Sequence, residues 1–265
     1  MTDALDARWD GFLAKIRERF DLLMSESLAG CAALLAQTGG DTVPVSNAWQ
    51  GMRMRGLGLQ AKISDAWNDQ VQDKYHDAEA YDQADAAWAR AEHMIDEIEI
   101  ELERVETKIF ADALRSLLTM AATEQAALRC SQCGAELESA VYLQTVELNC
   151  RHCGALVTIE PGPRARMAVA MAHHLWREAC WPLWLERHRA DKAARDARTP
   201  TLELLQAWEE AEINYWSAWL RERAKLLPNT TAELDKELRG RLHQFYEGLE
   251  REAVWTRAGS PRRCR

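Results

Sequence analysis

Residues 130–135 read CSQCGA and residues 150–155 read CRHCGA. In each stretch two residues separate the cysteines, and a glycine follows the second cysteine. This spacing lets one tight turn, or knuckle, present both thiolates to the same ion while its backbone amides point at the sulfurs. Glycine suits the positive φ that a knuckle requires after its second cysteine. The four predicted metal ligands are Cys130, Cys133, Cys150 and Cys153.

Four thiolates around one ion predict a structural Zn2+ site. Zinc takes four ligands in a tetrahedron, and four cysteines leave no open position for a catalytic water. We favour zinc over iron because nothing else in the sequence indicates electron transfer. His152 lies inside the second knuckle and is predicted to be a surface residue, because the cysteines already fill the site.

The residues near the knuckles have the character of short strands. They are Val141, Leu143, Val146 and Leu148 between the knuckles and Leu156, Val157 and Ile159 after them. Antiparallel pairing of such strands would bring the knuckles together. With its two Cys-x-x-Cys-Gly motifs, the segment 128–162 resembles the zinc-ribbon, or rubredoxin-like, class of modules. The resemblance implies a small β fold around structural zinc, but ribbons serve transcription factors, ribosomal proteins, enzymes and scaffolds, so it selects no function.

The remaining cysteines, Cys31, Cys180 and Cys264, show no pairing pattern, which makes disulfide bonds the less favoured alternative to a metal. Acidic residues interrupt the first ten positions, so these do not form a secretory signal. No apolar stretch approaches the length of a membrane span. We therefore expect a protein of the reducing cytoplasm that does not bind membranes.

The region before the knuckles predicts two long helices. Apolar residues at spacings of three and four predict a first helix over 2–37, which Thr38-Gly39-Gly40 ends. Ser46 or Asn47 is the expected cap of the next helix. No proline and almost no turn residues follow, so the sequence predicts one helix from Ala48 to about Leu128.

Three glycines weaken this predicted long helix near its start. Gly51, Gly56 and Gly58 each cost a helix interior about 1 kcal/mol relative to alanine. They are compatible with a hinge, with a close helix crossing, or with a break into two helices.

A heptad seam follows the glycines, which is typical of a coiled coil. Its residues are Ile95, Ile98, Leu102, Val105 and Ile109. The first helix, about 36 residues long, is too short to cover a helix of about 80 residues. Part of the seam is therefore expected to contact the C-terminal helices, a second copy of the chain, or another protein, and a homo-oligomer or helical assembly is predicted.

After the ribbon the sequence predicts a helical bundle and a basic tail. Pro163 suits a first helical turn, and Pro182 should kink or split the helix that follows. Thr199 should begin the next helix, and Thr230 with Glu233 forms a predicted capping box. The predicted domains are an N-terminal helical hairpin with a long arm (1–128), the zinc ribbon (129–162), a C-terminal helical bundle (163–257) and a flexible basic tail (258–265).

The net charge of −9 is unevenly distributed. Residues 62–112 contain 15 acidic and 5 basic side chains, whereas residues 164–265 contain 15 acidic and 19 basic ones. The acidic segment disfavours nucleic acid and favours basic partners, among them the C-terminal region of the same chain. A solvated helix face explains the same charges equally well.

We expect a non-enzymatic cytoplasmic scaffold or adaptor that contacts proteins through long helices and a zinc ribbon. The first alternative is a regulator that acts with the transcription or translation machinery through the ribbon. The second is an enzyme with a site between the C-terminal helices near His173, His174 and Trp176. His174 shares a stripe with apolar residues, so a buried core histidine is the preferred interpretation, and no catalytic residue or cofactor-binding residue is predicted.

Overall fold

The fold is described from a computed structural model that places residues 2–125, 128–137, 142–197 and 199–251. Most of these residues lie in helices, and the described part of the chain contains one small antiparallel sheet. This confirms the predicted mainly α fold with a small β element. The chain forms two compact units, Met1–Ala113 and Leu114–Arg265. The finer division into four segments stays a prediction.

The first helix, α1, spans Thr2–Gln37, as the sequence predicts. Its buried side chains follow one another at spacings of three and four, so they form a single stripe. They are Trp9, Leu13, Ile16, Phe20, Met24, Ser27 and Cys31. Gly39 and Gly40 have φ values of 61° and 91°, which places the predicted turn at the end of the helix.

The second helix, α2, spans Thr42–Ala66 and begins earlier than predicted. The carboxylate of Asp41 caps it by accepting a hydrogen bond of 2.9 Å from a backbone N–H of the first turn. The expected caps, Ser46 and Asn47, therefore lie inside the helix. Pro44 fits in the first turn because no intrahelical hydrogen bond needs its missing N–H there.

The prediction of one helix from residue 48 to about 128 is wrong, because the chain reverses near Glu79. A π-helical turn (Trp67–Val71) and a short helix, α3 (Gln72–Asp77), follow α2, and α4 then spans Tyr81–Gln125. Glu79 has a φ of 53°, in the left-handed region that residues other than glycine rarely adopt. Neither proline nor glycine lies at this reversal, so the turn could not be predicted from the local sequence.

Helix α4 runs parallel to α1. The indole N–H of Trp9 donates to the carbonyl of Ala87 at 3.0 Å. Further along both helices, the guanidinium of Arg17 donates to the carboxylate of Glu97 at 3.3 Å. Because residue numbers rise together along the two helices, their directions agree.

Helix α4 runs antiparallel to α2. The side-chain amide of Gln60 donates to the carbonyl of Ile95 at 2.8 Å. Arg53, which precedes Gln60, pairs with the later residues Glu103 and Glu106, each at 2.8 Å. The Met1–Ala113 unit is therefore an up-down-up arrangement of α1, α2 and α4, in which acidic residues of α4 pair with arginines of the same unit.

Gly56 marks a close crossing of α2 and α4. A Cβ atom built on this buried residue would lie 2.8 Å from a methyl carbon of Leu102, whereas Gly51 and Gly58 have open space around them. Helix α2 continues through all three glycines. Of the three alternatives, the structure supports the helix crossing, at Gly56, and contradicts a break.

The heptad seam of α4 is covered within the chain. Ile98, Leu102, Val105 and Ile109 are all buried, and Ile95 is half-buried. This burial removes the reason for expecting a second copy of the chain or another protein at the seam, and the predicted homo-oligomer stays a prediction. The expectation assumed one unbroken helix, but the chain folds back, and α2 meets the seam at Ile95 and Leu102.

Helices α5 to α9 belong to the second unit. They span Pro163–Met171, His173–Ala179, Trp181–Asp196, Leu202–Leu226 and Leu234–Arg251. Pro163 lies in the first turn of α5, and the predicted split at Pro182 is confirmed because α7 begins there. Thr201, two residues after the predicted start at Thr199, caps α8 by accepting from the Leu204 N–H at 3.3 Å.

The predicted capping box before the last helix is wrong. Pro228–Glu233 forms a 3₁₀ helix, and the hydroxyl of Thr230 donates to the carbonyl of Leu227 at 2.7 Å. The hydroxyl thus closes a tight turn instead of capping α9. The predicted helix end near residue 257 and the basic tail lie outside the described residues.

Candidate metal centre

The four predicted ligands come together at one point. The Sγ atoms of Cys130, Cys133, Cys150 and Cys153 all lie within 4.8 Å of one another. The Cys130–Cys153 and Cys133–Cys150 pairs are each 3.7 Å apart. A tetrahedral zinc with Zn–S bonds of about 2.3 Å would hold its sulfurs about 3.8 Å apart. The cluster therefore fits one tetrahedral ion.

The same distances exclude disulfide bonds in this arrangement. A disulfide requires sulfurs about 2.05 Å apart, well below the 3.7 Å of the Cys130–Cys153 and Cys133–Cys150 pairs, and all four cysteines are free thiols. Each knuckle instead contributes one sulfur to each of these pairs, which is how four ligands surround a shared centre.

Two equivalent turns position the cysteines. In the first knuckle the N–H of Cys130 donates to the carbonyl of Ala135 at 2.8 Å, and in the second the N–H of Cys150 donates to that of Ala155 at 2.8 Å. The glycines after the second cysteines, at 134 and 154, have φ values of 74° and 70°. The predicted need for glycine at both positions is confirmed.

Each knuckle closes a pair of extended segments. Strands β1 (Val146–Asn149) and β2 (Leu156–Ile159) are antiparallel on either side of the second knuckle. The first knuckle lies between Arg129 and Glu136, which form a single antiparallel bridge. The predicted strand at 141–148 is shorter than expected, and Val141 lies outside the described residues.

A small apolar core supports the knuckles. Cys130, Cys150, Val157 and Ile159 are its buried members. Half-buried residues pack around them: Leu128, Ala135, Leu137, Tyr142, Val146, Leu148 and Ala155. Two of the four buried residues are predicted metal ligands, so the core and the metal site are one structure. Cys133, Cys153 and His152 are exposed, as predicted for His152.

Backbone amides favour the thiolate form in the second knuckle. The N–H groups of Cys153 and His152 lower the pKa of Cys150 to about 6. The N–H of Ala135 also favours the thiolate of Cys133, but the neighbouring sulfurs, foremost that of Cys153, and desolvation raise the pKa of Cys133 to about 12. Four close thiolates repel one another, so a divalent cation at their centre would allow all four to lose their protons.

Gln125 joins the ribbon to the end of α4, a contact that the sequence analysis missed. The side-chain amide of this buried glutamine donates to the carbonyl of Tyr142 at 3.0 Å and accepts from the Tyr142 N–H at 2.6 Å. The side chain thus satisfies both backbone groups of Tyr142, as a neighbouring strand would. Nothing in the sequence distinguishes Gln125 from other polar residues near helix ends.

The residues of the enzyme alternative do not form a metal cluster. His174 is buried, which confirms its predicted core position, and burial, then the charges of His173 and Arg177, lower its pKa to about 3. A cavity of about 450 Å³ is lined by Trp176 but by neither histidine. Within the described ranges, the four cysteines alone bring three or more His, Cys, Asp or Glu ligand atoms together.

No protein-family model, no curated protein and no solved structure matches the chain. The zinc-ribbon resemblance therefore rests on the cysteine cluster and the two-stranded sheet. Among the described residues, no helix is both long enough and apolar enough to cross a lipid bilayer.

Proposed function

We propose that the chain is a non-enzymatic scaffold or adaptor of the reducing cytoplasm, in which a structural Zn2+ holds a ribbon in the shape that a protein partner recognises. The observation that carries this proposal is the four-cysteine cluster, whose sulfurs all lie within 4.8 Å of one another. A site with four protein ligands has no position for a substrate or a reactive water. The role of the metal is then to hold the two knuckles of the ribbon together.

The ribbon offers an exposed surface on which a partner could bind. The side chain of Leu156, at the start of β2, is 60% exposed although it is large and apolar. Strands β1 and β2 pair only with each other among the described residues, so their outer edges carry backbone groups that an added strand can use. These two features support a protein contact at the ribbon.

Charge supports a protein partner over nucleic acid. The chain carries a net charge of −9, and phosphate contacts need clustered positive charge. Several arginines of the Met1–Ala113 unit are already paired with carboxylates, among them Arg17, Arg53 and Arg90. The alternative role with the transcription or translation machinery would therefore proceed through a protein contact.

The ribbon contact is tested with a matched pair of surface substitutions. Leu156→Asp places a charge on the ribbon, and Leu22→Asp places one on α1, where the wild-type leucine is 59% exposed. Wild type and both variants serve as baits for quantitative capture from the native cytoplasm. We expect Leu156→Asp to lose at least one partner that Leu22→Asp retains.

The outcome that contradicts the proposal is an identical set of partners for all three baits. Zinc content and the helical circular dichroism signal of each bait should be equal, so that a lost partner reports the surface and not unfolding. Self-association stays a prediction, although the buried seam of α4 no longer requires it. Size-exclusion chromatography with light scattering measures it.

A further inference from the structure

Two glycines of α2 are not explained by packing within the described chain. Gly51 and Gly58 lie in the interior of the helix, where each costs about 1 kcal/mol relative to alanine. A Cβ atom at either position would meet no described atom within 4 Å, whereas one at Gly56 would press on Leu102 of α4. Packing against α4 therefore explains Gly56, but it does not explain Gly51 and Gly58.

The two unexplained glycines alternate with larger side chains along one face of α2. Successive residues of an α-helix are about 100° apart, so positions 47, 51, 54 and 58 fall within about 60° of one another. We call these residues the outer stripe, which consists of Asn47, Gly51, Met54 and Gly58. The buried side chains of α2 lie on the opposite side of the helix. Met54 is 65% exposed although it is large and apolar, so the stripe presents a protruding side chain between two gaps.

The order of large and small residues in the outer stripe is complementary to its own reverse. If two copies of α2 pack antiparallel, with a two-fold axis midway between positions 51 and 54, Met54 of one copy faces Gly51 of the other and Asn47 faces Gly58. Each layer then combines a side chain with a gap, and both copies use the same surface. A parallel pair in register would instead place Met54 against Met54 and glycine against glycine. The alternation therefore favours antiparallel pairing.

The outer stripe also carries no charge. In this antiparallel register residues 43–62 overlap, and the charged residues of that range are Arg53, Arg55 and Lys62. They face uncharged residues of the second copy, which are Met52, Gln50 and Val43 in the same order. Residues 62–112, in contrast, contain 15 acidic and 5 basic side chains, so contacts between copies through that segment would bring like charges together. Charge therefore favours α2 over α4 as the surface that a second copy contacts.

We propose that two copies of the chain form a two-fold dimer in which the outer stripes of their α2 helices pack antiparallel. This contact is separate from the ribbon surface, and it gives the predicted homo-oligomer an interface and a subunit number. The overlap is about 30 Å long and one helix wide. Contacts smaller than a standard interface are typical of weak complexes, so the dimer should dissociate on dilution.

Molar mass and one charged substitution test the dimer. Light scattering of the full-length, zinc-loaded protein at about 100 µM should give twice the chain mass of 30.1 kDa. Met54→Glu should keep the circular dichroism signal, because residue 54 is exposed and glutamate favours helices, and should raise the dimer Kd by about tenfold or more. Leu22→Glu on α1 is the matched control, since Leu22 is 59% exposed and lies outside the stripe. A wild-type mass of one chain, or equal Kd values for the two variants, overturns the proposal.

Cross-linking tests the antiparallel direction. Val43→Lys is a surface change, since Val43 is 61% exposed, and it places an amine opposite Lys62 of the second copy. On one helix these two positions are about 28 Å apart, which exceeds the reach of a short amine-reactive cross-linker. Mass spectrometry of the dimer should therefore identify a cross-link between positions 43 and 62, and Met54→Glu should remove it. A cross-link between the two copies of Lys62, or none between positions 43 and 62, overturns the antiparallel arrangement.

Discussion

The four-cysteine ribbon and the three-helix unit are stabilised in opposite ways. The ribbon has strands of four residues and a core cluster with four buried members, two of which are predicted metal ligands. In the Met1–Ala113 unit, α1, α2 and α4 bury apolar side chains along most of their length, the first being Trp9 on α1 and one of the last Ile109 on α4. A segment shorter than about 40 residues rarely buries enough apolar surface to fold without a metal or disulfide. We therefore expect the ribbon to depend on one metal ion, whereas the helical unit spreads its stability over many contacts.

The largest expected effect comes from removing one ligand of the ribbon. Cys150→Ser should release zinc, and because binding of structural zinc contributes about 10–16 kcal/mol in small modules, the ribbon should unfold. The Met1–Ala113 unit should keep its helices. Elemental analysis should give one zinc per wild-type chain and none in the variant, and hydrogen exchange should rise over residues 128–160 alone.

Ser131→Ala is the control for this comparison. Ser131 is an exposed residue of the first knuckle and is not a predicted ligand, so the variant should keep its zinc. If freshly purified wild-type protein contains neither zinc nor iron, the predicted metal site is wrong. A loss of helix throughout the chain in Cys150→Ser would show that the two regions are not independent.

Removal of a core contact in the helical unit should have the next largest effect. Ile98 is completely buried in the seam of α4, and Ile98→Asp would place a charge there without a partner. The free energy of unfolding of this unit should fall by about 3–5 kcal/mol, while zinc content stays at one per chain. Urea titration followed by circular dichroism measures the loss.

Leu22→Asp provides the comparison, since Leu22 is exposed on α1 and its substitution should change the unfolding free energy by less than about 0.5 kcal/mol. If Ile98→Asp leaves the melting temperature unchanged, the seam is not a core. A fall in molecular mass with preserved stability would instead show that the seam is an interface between chains.

The same contrast explains what the sequence revealed. All four cysteines of the cluster were predicted, because a Cys-x-x-Cys-Gly motif determines both the ligand atoms and the turn that presents them within a few residues of sequence. The sequence predicted that Ile98 and Leu102 belong to one apolar stripe, but it did not predict which helix packs against that stripe. Without glycine or proline at the reversal, only the fit of α2 against α4 reveals that Glu79 turns the chain back.

Gln125 illustrates a second limit of sequence reasoning in the site. Its importance lies in two hydrogen bonds to Tyr142, seventeen residues away along the chain. A glutamine near a helix end is ordinarily solvated, so its residue type indicates neither burial nor a partner. Such contacts are set by tertiary structure and not by the local sequence.

The smallest expected effect distinguishes a packed glycine from an open one on the same helix. A Cβ atom at Gly56 would lie 2.8 Å from a Leu102 methyl carbon, whereas one at Gly58 would meet nothing within 4 Å. Alanine favours a helix interior by about 1 kcal/mol over glycine, but overpacking costs about 1–3 kcal/mol. Gly58→Ala should therefore raise the free energy of unfolding by about 0.5–1 kcal/mol, and Gly56→Ala should lower it by about 1 kcal/mol. Urea midpoints of the two variants should move in opposite directions, and equal stabilisation of both would show that α2 and α4 do not cross closely at Gly56.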